Sequence, residues 1–485
     1  MLSERRSKIL FVTPPSLVEK YHEQFTKMLP FGILYLASYL RQYEYEVDVM
    51  DAYTINATVA DVIQRLRNGG FNVLGINSYL VNLVNAEALA KKVKAEFPNI
   101  VVVMGGHGVS ASPEEALNCP EFDYAIRNEG EETFLELLQA IEGKGNFSEI
   151  KGLIYRDENG NQVINPKRDF IKDLDSLPLP AYDLIPNMRQ YNYFPFQLKK
   201  FPIAGIVTSR GCPGKCTFCD KSVWEGSLRL RSAENVVDEI ELLIKKYGVR
   251  EIIFVDDTFT ASKKRIYDIF KLTKERNLKF SFSCASRINT VDYDLLKFMK
   301  KNGCWFIAYG IESGDQDILK LVNKNIKLDD VEKVVKMTHD VGISPQGYFI
   351  LGNPTETMDT IQKTIDFAKR LKLDRMIACL NTPIPGTPQY ETKDQYGSTV
   401  EPEFSKYNFQ VPVYAPHGLT PEILSKKLMQ FYKEFYFRPR VIFKIITSTF
   451  NFYNFKLVLR VASLTIHLIR KFNKQKKLEK KSAAM

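Results

Sequence analysis

The stretch Ser209–Cys219 reads SRGCPGKCTFC and holds three of the seven cysteines of this 485-residue chain, Cys212, Cys216 and Cys219. The spacing Cys-x3-Cys-x2-Cys places three thiolates on one short loop, where they can hold three corners of a cubane. A [4Fe–4S] cluster usually takes four cysteines, so three leave one iron open to a bidentate ligand such as an α-amino carboxylate. We therefore predict a [4Fe–4S] cluster on these three cysteines.

Two other interpretations of the cysteine loop stay open. A structural zinc site needs a fourth ligand and favours paired Cys-x2–4-Cys spacings, and no His or Cys lies within about sixty residues of the loop to complete one. Thiols without any metal are the second alternative. Three other cysteines, Cys284, Cys304 and Cys379, fall on predicted strands, and we expect them to be core thiols.

Six strand and helix pairs alternate over about 190 residues that begin just before the cysteine loop. This number of repeats predicts a partial, (β/α)6 TIM-like barrel over residues 198–390 rather than an eightfold barrel. The predicted strands are Ala204–Thr208, Glu251–Val255, Lys279–Cys284, Trp305–Tyr309, Ser344–Leu351 and Arg375–Leu380.

Residues 1–145 alternate short apolar runs with amphipathic stretches, a pattern typical of α/β folds with a doubly wound, Rossmann-like parallel sheet. Ligands of such sheets bind at the carboxyl ends of the strands, so we expect a binding site at the turns that follow them. Residues 146–197 are predicted to be a connector, and residues 391–485 a C-terminal substrate or cap region that ends in a helical tail. The predicted N-terminal strands are Lys8–Val12, Tyr45–Met50, Val73–Asn77, Ile100–Met104 and Tyr124–Ile126.

The cysteine loop resembles that of the radical S-adenosylmethionine (SAM) superfamily, because an aromatic residue precedes its last cysteine and a barrel strand precedes its first. Three further segments resemble this superfamily in the same order along the chain. They are Gly310–Gly314 (GIESG), Gly347–Pro354 (GYFILGNP) and Thr382–Pro388 (TPIPGTP). The resemblance implies an electron donor of the flavodoxin or ferredoxin type. It also implies reductive cleavage of SAM to a 5′-deoxyadenosyl radical, which takes hydrogen from an unactivated carbon.

The same resemblance implies which residues contact SAM. Asp256, Asp257 and Arg287, at later strand ends, are candidate positioning residues, although barrel salt bridges would explain these charges equally well. The candidate cofactor-binding residues are Phe218, Glu312, Ser313, Gly314, Arg287, Gly347, Gly352 and Pro354.

The N-terminal region resembles the cobalamin (B12)-binding domain that precedes many radical SAM enzymes, on the segments Gly105–His107 and Asn128–Thr133. The chain lacks the Asp-x-His-x-x-Gly motif that supplies the lower cobalt ligand in many such domains. His107 therefore either ligates cobalt or only packs and hydrogen-bonds, and a degenerate domain without cobalamin is a further alternative. The resemblance implies cobalamin contacts by Thr13, Pro14, Gly105, Gly106, His107, Glu129, Gly130 and Glu131.

The net charge of +10 is concentrated at the C-terminal end. Residues 421–485 hold 15 Lys and Arg against three acids, so the rest of the chain is nearly neutral and no nucleic-acid partner is expected. In the aromatic and basic segment Phe431–Phe472, the longest uncharged run is the eleven residues Ile445–Phe455, well short of the roughly 20 that cross a bilayer. The segment is either an amphipathic helix on an anionic membrane surface or a helical cap on the barrel.

The pairing of the two domains resembles cobalamin-dependent radical SAM methylases and the neighbouring group of the anaerobic magnesium-protoporphyrin ester cyclase. We expect a methylase of a small-molecule or lipid substrate. Its location is predicted to be cytoplasmic or the inner face of the membrane, since the first thirty residues lack a signal-peptide pattern. One alternative is a radical SAM enzyme that oxidises, cyclises or couples carbons of a lipid, isoprenoid or tetrapyrrole-like substrate. The other is a non-catalytic iron–sulfur or cobalamin sensor.

Overall fold

The computed structural model describes residues 6–16, 27–191 and 198–449. It contains two large sheets, and the first is formed by the N-terminal part of the chain. Its strands are β1 (Lys8–Thr13), β2 (Glu46–Asp51), β3 (Val73–Asn77), β4 (Val101–Gly105), β5 (Tyr124–Ile126), β6 (Leu153–Arg156) and β7 (Gln162–Ile164). They lie in the order β2-β1-β3-β4-β5-β6-β7, with β1 to β5 parallel and the last two antiparallel. The strand order reverses between β1 and β3, and ligands of open α/β sheets bind at the carboxyl edge beside such a reversal.

Helices cover both faces of this sheet. They are α1 (Phe31–Gln42), α2 (Ala52–Ile55), α3 (Val59–Gly69), α4 (Leu83–Glu96), α5 (His107–Ala111) and α6 (Glu131–Ile141). Side chains of a strand alternate between its faces. Accordingly, Ile9 and Phe11 pack in one core with α1 and α6, while Leu10 and Val12 pack in another with α3 and α4. The sheet is therefore covered on both sides, as the alternating pattern predicts.

Capping residues set the ends of several helices. The Thr58 hydroxyl accepts a hydrogen bond from the Asp61 amide, and the Asp61 carboxylate accepts one from the Thr58 amide, so α3 begins at a capping box. The same helix ends at Gly70, whose φ of 64° is left-handed.

A second sheet contains six parallel strands. They are β8 (Ile203–Ile206), β11 (Glu251–Phe254), β12 (Ser281–Ser286), β13 (Cys304–Glu312), β14 (Ser344–Leu351) and β15 (Arg375–Leu380), in consecutive spatial order, with the short pair β9 (Ser209–Arg210) and β10 (Arg229–Leu230) beside them. The intervening helices are α7 (Ala233–Tyr247), α8 (Lys263–Glu275), α9 (Tyr293–Lys301), α10 (Gln316–Leu321), α11 (Leu328–Asp340) and α12 (Met358–Arg370). The predicted mixed α/β fold with parallel sheets is confirmed.

The first part of the predicted connector extends the N-terminal sheet. β6 and β7 form a hairpin in which Arg156 pairs with Gln162. The Asp157 carboxylate closes the turn by accepting hydrogen bonds from the amides of Asn159 and Asn161, at 2.9 and 2.8 Å. This part of the connector therefore belongs to the N-terminal sheet.

The C-terminal region covers the open edge of the second sheet. It contains α13 (Pro388–Glu391), α14 (Lys393–Tyr396), β16 (Gly397–Thr399), β17 (Tyr414–Pro416), α15 (Pro421–Tyr436) and α16 (Pro439–Thr449). The Tyr432 hydroxyl donates to the carbonyl of Ala378 at 2.8 Å and accepts from its amide at 3.2 Å. Tyr436, one turn later, bonds the carbonyl and amide of Met376 in the same way. Two tyrosines thus satisfy backbone groups that an edge strand would leave unpaired.

Residues 450–485, which hold most of the predicted basic tail, lie outside the described residues. Among the helices that the structure describes, none is both long enough and apolar enough to cross a bilayer.

Replacing Tyr432 or Tyr436 with Phe should lower the free energy of unfolding by about 1–2 kcal/mol each, because each change removes the hydrogen bonds of one hydroxyl to a backbone amide and carbonyl of β15. The measurement is urea denaturation followed by circular dichroism. Tyr293→Phe is the matched control, since Tyr293 is 49% exposed on α9. If all three variants were equally stable, the hydroxyls of Tyr432 and Tyr436 would not stabilise the edge strand β15.

Candidate active site

The cysteine loop leaves the carboxyl end of β8, and glycines give it its path. Gly211 has a φ of +86°, and a Cβ there would lie 1.9 Å from the carbonyl oxygen of Ser227. At Gly214 a Cβ would lie 2.5 Å from Nη1 of Arg287. Only glycine tolerates both the positive φ and the close approach of the Ser227 carbonyl at position 211. Contacts with Ser227 and Arg287, which lie later in the chain, therefore shape the loop.

Polar groups, one of them the Arg287 guanidinium, lie close to the cysteine thiols. The Cys212 sulfur lies 3.6 Å from the Thr258 hydroxyl, and Nη1 of Arg287 lies 3.8 Å from the Cys216 sulfur. Although Cys219 is an exposed residue, desolvation by the groups around its sulfur, with smaller effects of Asp257 and Cys216, raises the pKa of its thiol to about 12. A bound metal offsets such a penalty by deprotonating its thiol ligands. The donor set therefore fits a [4Fe–4S] cluster.

Within the described ranges, no three His, Cys, Asp or Glu side chains converge on a point where they could hold one metal ion. A cubane instead takes one thiolate at each of its coordinated irons. The assignment of Cys212, Cys216 and Cys219 as cluster ligands stays a prediction.

Arg287 and Glu312 both contact Lys324. Glu312 has a left-handed φ of +71° at the end of β13, and its carboxylate is buried. Nζ of Lys324, which is also buried, donates to Glu312 Oε1 at 2.7 Å. The Lys324 carbonyl in turn accepts a hydrogen bond from Nη2 of Arg287 at 3.0 Å. A continuous polar chain therefore runs from Cys216 through Arg287 and Lys324 to Glu312.

Other predicted SAM contacts lie at strand ends and pack against protein. The Gly314 amide donates to the Thr364 hydroxyl at 2.9 Å, and the adjacent Ser313 hydroxyl is 3.2 Å from the same oxygen. A Cβ at Gly347 would lie 2.8 Å from the Phe349 ring. Further along the chain, Gly352 and Pro354 are buried, whereas Phe218 is half-buried on the cysteine loop. The roles of these residues in SAM binding stay predictions.

A cavity of about 330 Å³ lies between the carboxyl edges of the two large sheets. Both domains contribute to its wall, and most of its lining is apolar. Among its polar or predicted lining residues are Asn77, Tyr79, Gly105, Gly106, His107, Asn128, Glu129, Gly130, Glu131, Arg210, Trp224, Asp256 and Asp257. Thr13 and Pro14, which follow at the end of β1, are not among its lining residues, and the Thr13 hydroxyl bonds the Asp51 carboxylate. The structure thus brings most of the predicted cobalamin contacts together.

The cavity wall fits cobalamin. Oδ1 of Asn128 is buried and has no hydrogen-bond partner among the described residues, and the carboxamide side chains of a corrin are suitable donors. A Cβ at Gly105 would meet only the Ile126 carbonyl, at 3.8 Å, so its backbone is open to a ligand. Gly106, with a φ of +106°, instead packs tightly against Ser78.

His107 links the cobalamin side of the cavity to the cysteine loop. Its ring stacks on Tyr79 with 5.5 Å between the centroids. Its Nδ1 lies 3.7 Å from Oδ2 of Asp220, the residue after Cys219. Trp224 approaches the same ring edge-on at 6.1 Å. These contacts show His107 packed and paired within the protein, and its ligation of cobalt stays an untested alternative.

The two adjacent aspartates at the end of β11 differ in their surroundings. The Asp256 carboxylate is buried and accepts hydrogen bonds from the amide and hydroxyl of Thr208, at 3.1 and 2.9 Å. By contrast, Asp257 is exposed in the cavity wall. Asp256 therefore holds the loop after β8, and Asp257 is the one of the two that can meet a ligand.

Buried ion pairs join the N-terminal domain to the strand that leads into the cysteine loop. Arg210 donates to Oε1 of Glu129 at 2.5 Å and to Oε1 of Glu131 at 2.6 Å. Arg229 donates to Oε2 of Glu129 at 2.8 Å. All four side chains are at most 10% exposed. Burial by itself would lower the pKa of Arg210, but Glu131 and Glu129 raise it above its usual value.

Sequence reasoning missed several of these residues. Tyr79 lies next to the turn after a predicted strand, and that position was a usable signal. Asn128 begins a segment that was recognised in the sequence, but it was not among the expected cobalamin contacts. Lys324 and Arg229 lie outside the recognised motifs, and no local pattern marks them as partners of Glu312 and Glu129.

Two family models match this chain. The model of the radical SAM superfamily matches residues 206–368, and that of the B12 binding domain matches residues 25–138. An uncharacterized methyltransferase of Pyrococcus horikoshii is 36% identical over 92% of this chain and 96% of that protein. The anaerobic magnesium-protoporphyrin IX monomethyl ester cyclase of Rubrivivax gelatinosus is 28% identical over 88% of this chain and 77% of the relative.

The fold has a counterpart among solved structures. The radical SAM methyltransferase TsrM of Kitasatospora setae, solved with cobalamin and a [4Fe–4S] cluster, is similar with a TM-score of 0.68 and 18% identity. The match covers 88% of this chain and 91% of that one. Fold and site together define a radical SAM enzyme with a cobalamin-binding domain. The chain belongs to the cobalamin-dependent radical SAM methyltransferase-like family, whose cofactors are a [4Fe–4S] cluster, SAM and cobalamin.

Glu129→Gln should lower the free energy of unfolding by about 3–5 kcal/mol, because it leaves two buried arginines with one remaining carboxylate. Urea denaturation measures the change. Asp268→Asn, which removes the partner of the exposed Lys264, is the control and should unfold like the wild type. If Glu129→Gln also unfolded like the wild type, the ion pairs would not be what joins the domains.

Proposed function

We propose that this protein transfers a methyl group to an unactivated carbon of a small-molecule or lipid substrate. The observation that carries the proposal is the single cavity whose wall contains both the carboxyl edge of the B12-binding sheet and residues flanking the cysteine loop. In this proposal the chain has four regions. Residues 1–145 bind cobalamin, residues 146–197 are a connector, residues 198–390 form a partial (β/α)6 barrel and residues 391–485 are the C-terminal substrate or cap region.

Each group of residues has a defined task in this proposal. The thiolates of Cys212, Cys216 and Cys219 would hold the cluster, and Arg287 beside Cys216 would favour an anionic ligand at the open iron. Glu312, neutralised by Lys324, would hold polar groups of SAM. When bound, the cluster supplies the electron that cleaves SAM, and cobalamin supplies the methyl group.

The cavity residues would orient the substrate and keep water away from the reactive carbon. The apolar lining excludes water, which protects a radical from side reactions. Asp257, which faces the cavity, would orient a polar group of the substrate. The electron donor is proposed to be a flavodoxin or ferredoxin.

A radical SAM reaction without methylation is the second candidate, and the cyclase relative favours it. It would use the same cluster ligands and SAM contacts. The two candidate reactions differ in their products. SAM becomes S-adenosylhomocysteine when it donates its methyl group, and only the methylating reaction requires this donation.

The C-terminal segment supports a proposed contact with an anionic membrane surface. Phe437 and Phe443 are 76% and 69% exposed. Arg440 and Lys444 lie on the same helix, α16, as Phe443. Exposed aromatic residues next to basic ones are typical of interfacial helices, and this location would suit a lipid or isoprenoid substrate.

Anaerobically reconstituted protein supplied with cobalamin, SAM and a strong reductant should produce 5′-deoxyadenosine and S-adenosylhomocysteine, quantified by mass spectrometry. Cys216→Ala should lose both products, because its loop keeps only two cluster ligands. Cys304→Ala, which removes a buried thiol of β13, is the matched control and should keep them. Deoxyadenosine alone, with acceptor candidates present, would favour the non-methylating reaction. Neither product from protein with an intact cluster would contradict the proposal.

Vesicles containing phosphatidylserine should bind the protein in a sedimentation assay, and neutral phosphatidylcholine vesicles should bind it less. Phe437→Ser should weaken binding roughly fivefold, since it removes an aromatic ring from the interface. Met358→Ser, a loss of an exposed apolar side chain on α12, should not. Equal binding to both lipids, or none, would refute the membrane contact.

A further inference from the structure

Gln389 carries a buried side-chain amide without a partner. The residue is 2% exposed, and neither Oε1 nor Nε2 makes a hydrogen bond with any described residue. An amide buried in this way costs free energy at both of its polar atoms. Buried polar groups are almost always completed by protein, water or a ligand. The amide of Gln389 therefore marks a place where something else is expected to bind.

The backbone of Gln389 connects it to the cysteine loop. Its amide donates to the carbonyl of Thr217 at 3.1 Å. Thr217 follows Cys216 and precedes Phe218, one of the candidate SAM-contact residues. Gln389 also follows the carboxyl end of β15, and ligands of β/α barrels bind at that end of the strands. The backbone of Gln389 is therefore next to the loop on which SAM is predicted to bind.

The turn that carries Gln389 is well held. The Thr387 hydroxyl donates to the Ile384 carbonyl at 2.7 Å, and the Tyr390 amide donates to the Thr387 carbonyl at 2.9 Å. A Cβ at Gly386 would lie 3.2 Å from the carbonyl of Ala111 in the N-terminal domain. Contacts on both sides keep Gln389 in the interior instead of letting its amide turn to solvent.

We propose that Gln389 binds the adenine of SAM, with Oε1 accepting from the 6-amino group and Nε2 donating to the adjacent ring nitrogen. A side-chain amide pairs with adenine through two such hydrogen bonds in nucleic-acid recognition. The methionine carboxylate and ammonium call for charged partners instead. The inference rests on the proposed function, because it takes SAM as the ligand of the cysteine loop.

The test measures binding and not turnover. Cluster-loaded protein without reductant is equilibrated with SAM, or with the SAM analogue whose purine lacks the 6-amino group, and dissociation constants are obtained by equilibrium dialysis. The wild type should bind the analogue about tenfold more weakly than SAM, because one buried acceptor is left unpaired. Gln389→Met, which keeps the side-chain length, should bind SAM about tenfold more weakly than the wild type and should bind both compounds alike.

Two controls separate this role from a structural one. Gln395→Met, at an exposed position of the same segment, should bind both compounds as the wild type does. Without SAM, cluster-loaded Gln389→Met should unfold at the wild-type temperature or above it, since the change removes an unpaired buried amide. A Gln389→Met protein that discriminates between the compounds like the wild type would overturn the inference, as would unchanged affinity for SAM with a lowered unfolding temperature. Failure of cluster-loaded wild type to bind SAM at all would instead refute the proposed function.

Discussion

The buried ion pairs of Glu129 and Glu131 with Arg210 and Arg229 are the interaction on which the rest of the site depends. Charges this deeply buried are costly unless each has a partner, so the four side chains must meet whenever both domains are folded. Arg210 lies two residues before Cys212, whereas Glu129 lies in the turn between β5 and α6 and Glu131 is the first residue of α6. Satisfying the charges therefore sets where the cysteine loop begins relative to the edge of the N-terminal sheet. The pairs link two domains whose chemistry is proposed to act on one substrate.

The cavity exists because backbone segments approach each other closely at the carboxyl edge of the N-terminal sheet. Gly106 packs against Ser78, whose amide bonds the carbonyl of Gly105 at 2.7 Å. This contact draws the turns after β3 and β4 together and leaves the Gly105 backbone open. His107, Tyr79 and Trp224 then close one side with stacked and edge-on rings. A ligand entering here meets apolar surface with few polar groups, as expected of a cofactor site.

The second sheet is open, and its edge at β15 is completed by protein. Tyr432 and Tyr436 on α15 bond the backbone of that strand, and the Phe409 carbonyl accepts from the amide of Leu380 at 2.8 Å. The C-terminal region thus packs on the edge strand of the second sheet through α15. Both interpretations of the segment Phe431–Phe472, as a helical cap and as an interfacial helix, stay proposals.

Local sequence determined the positions of the strands and helices and the class of enzyme. Strand and helix positions followed from the period of apolar residues, and the cluster prediction from three cysteines within eight residues, since both signals involve near neighbours. Tertiary structure decided which polar groups meet. The glutamates expected to contact cobalamin also bind Arg210 and Arg229, which lie 79–100 residues further along the chain. Lys324 pairs with Glu312, and the side chain of Gln389, beside the cysteine loop, has no hydrogen-bond partner within the part of the chain that the structure describes. A buried charge or amide is stabilised by whatever the fold places next to it, and that neighbour is set by the packing of distant elements, which no local pattern encodes.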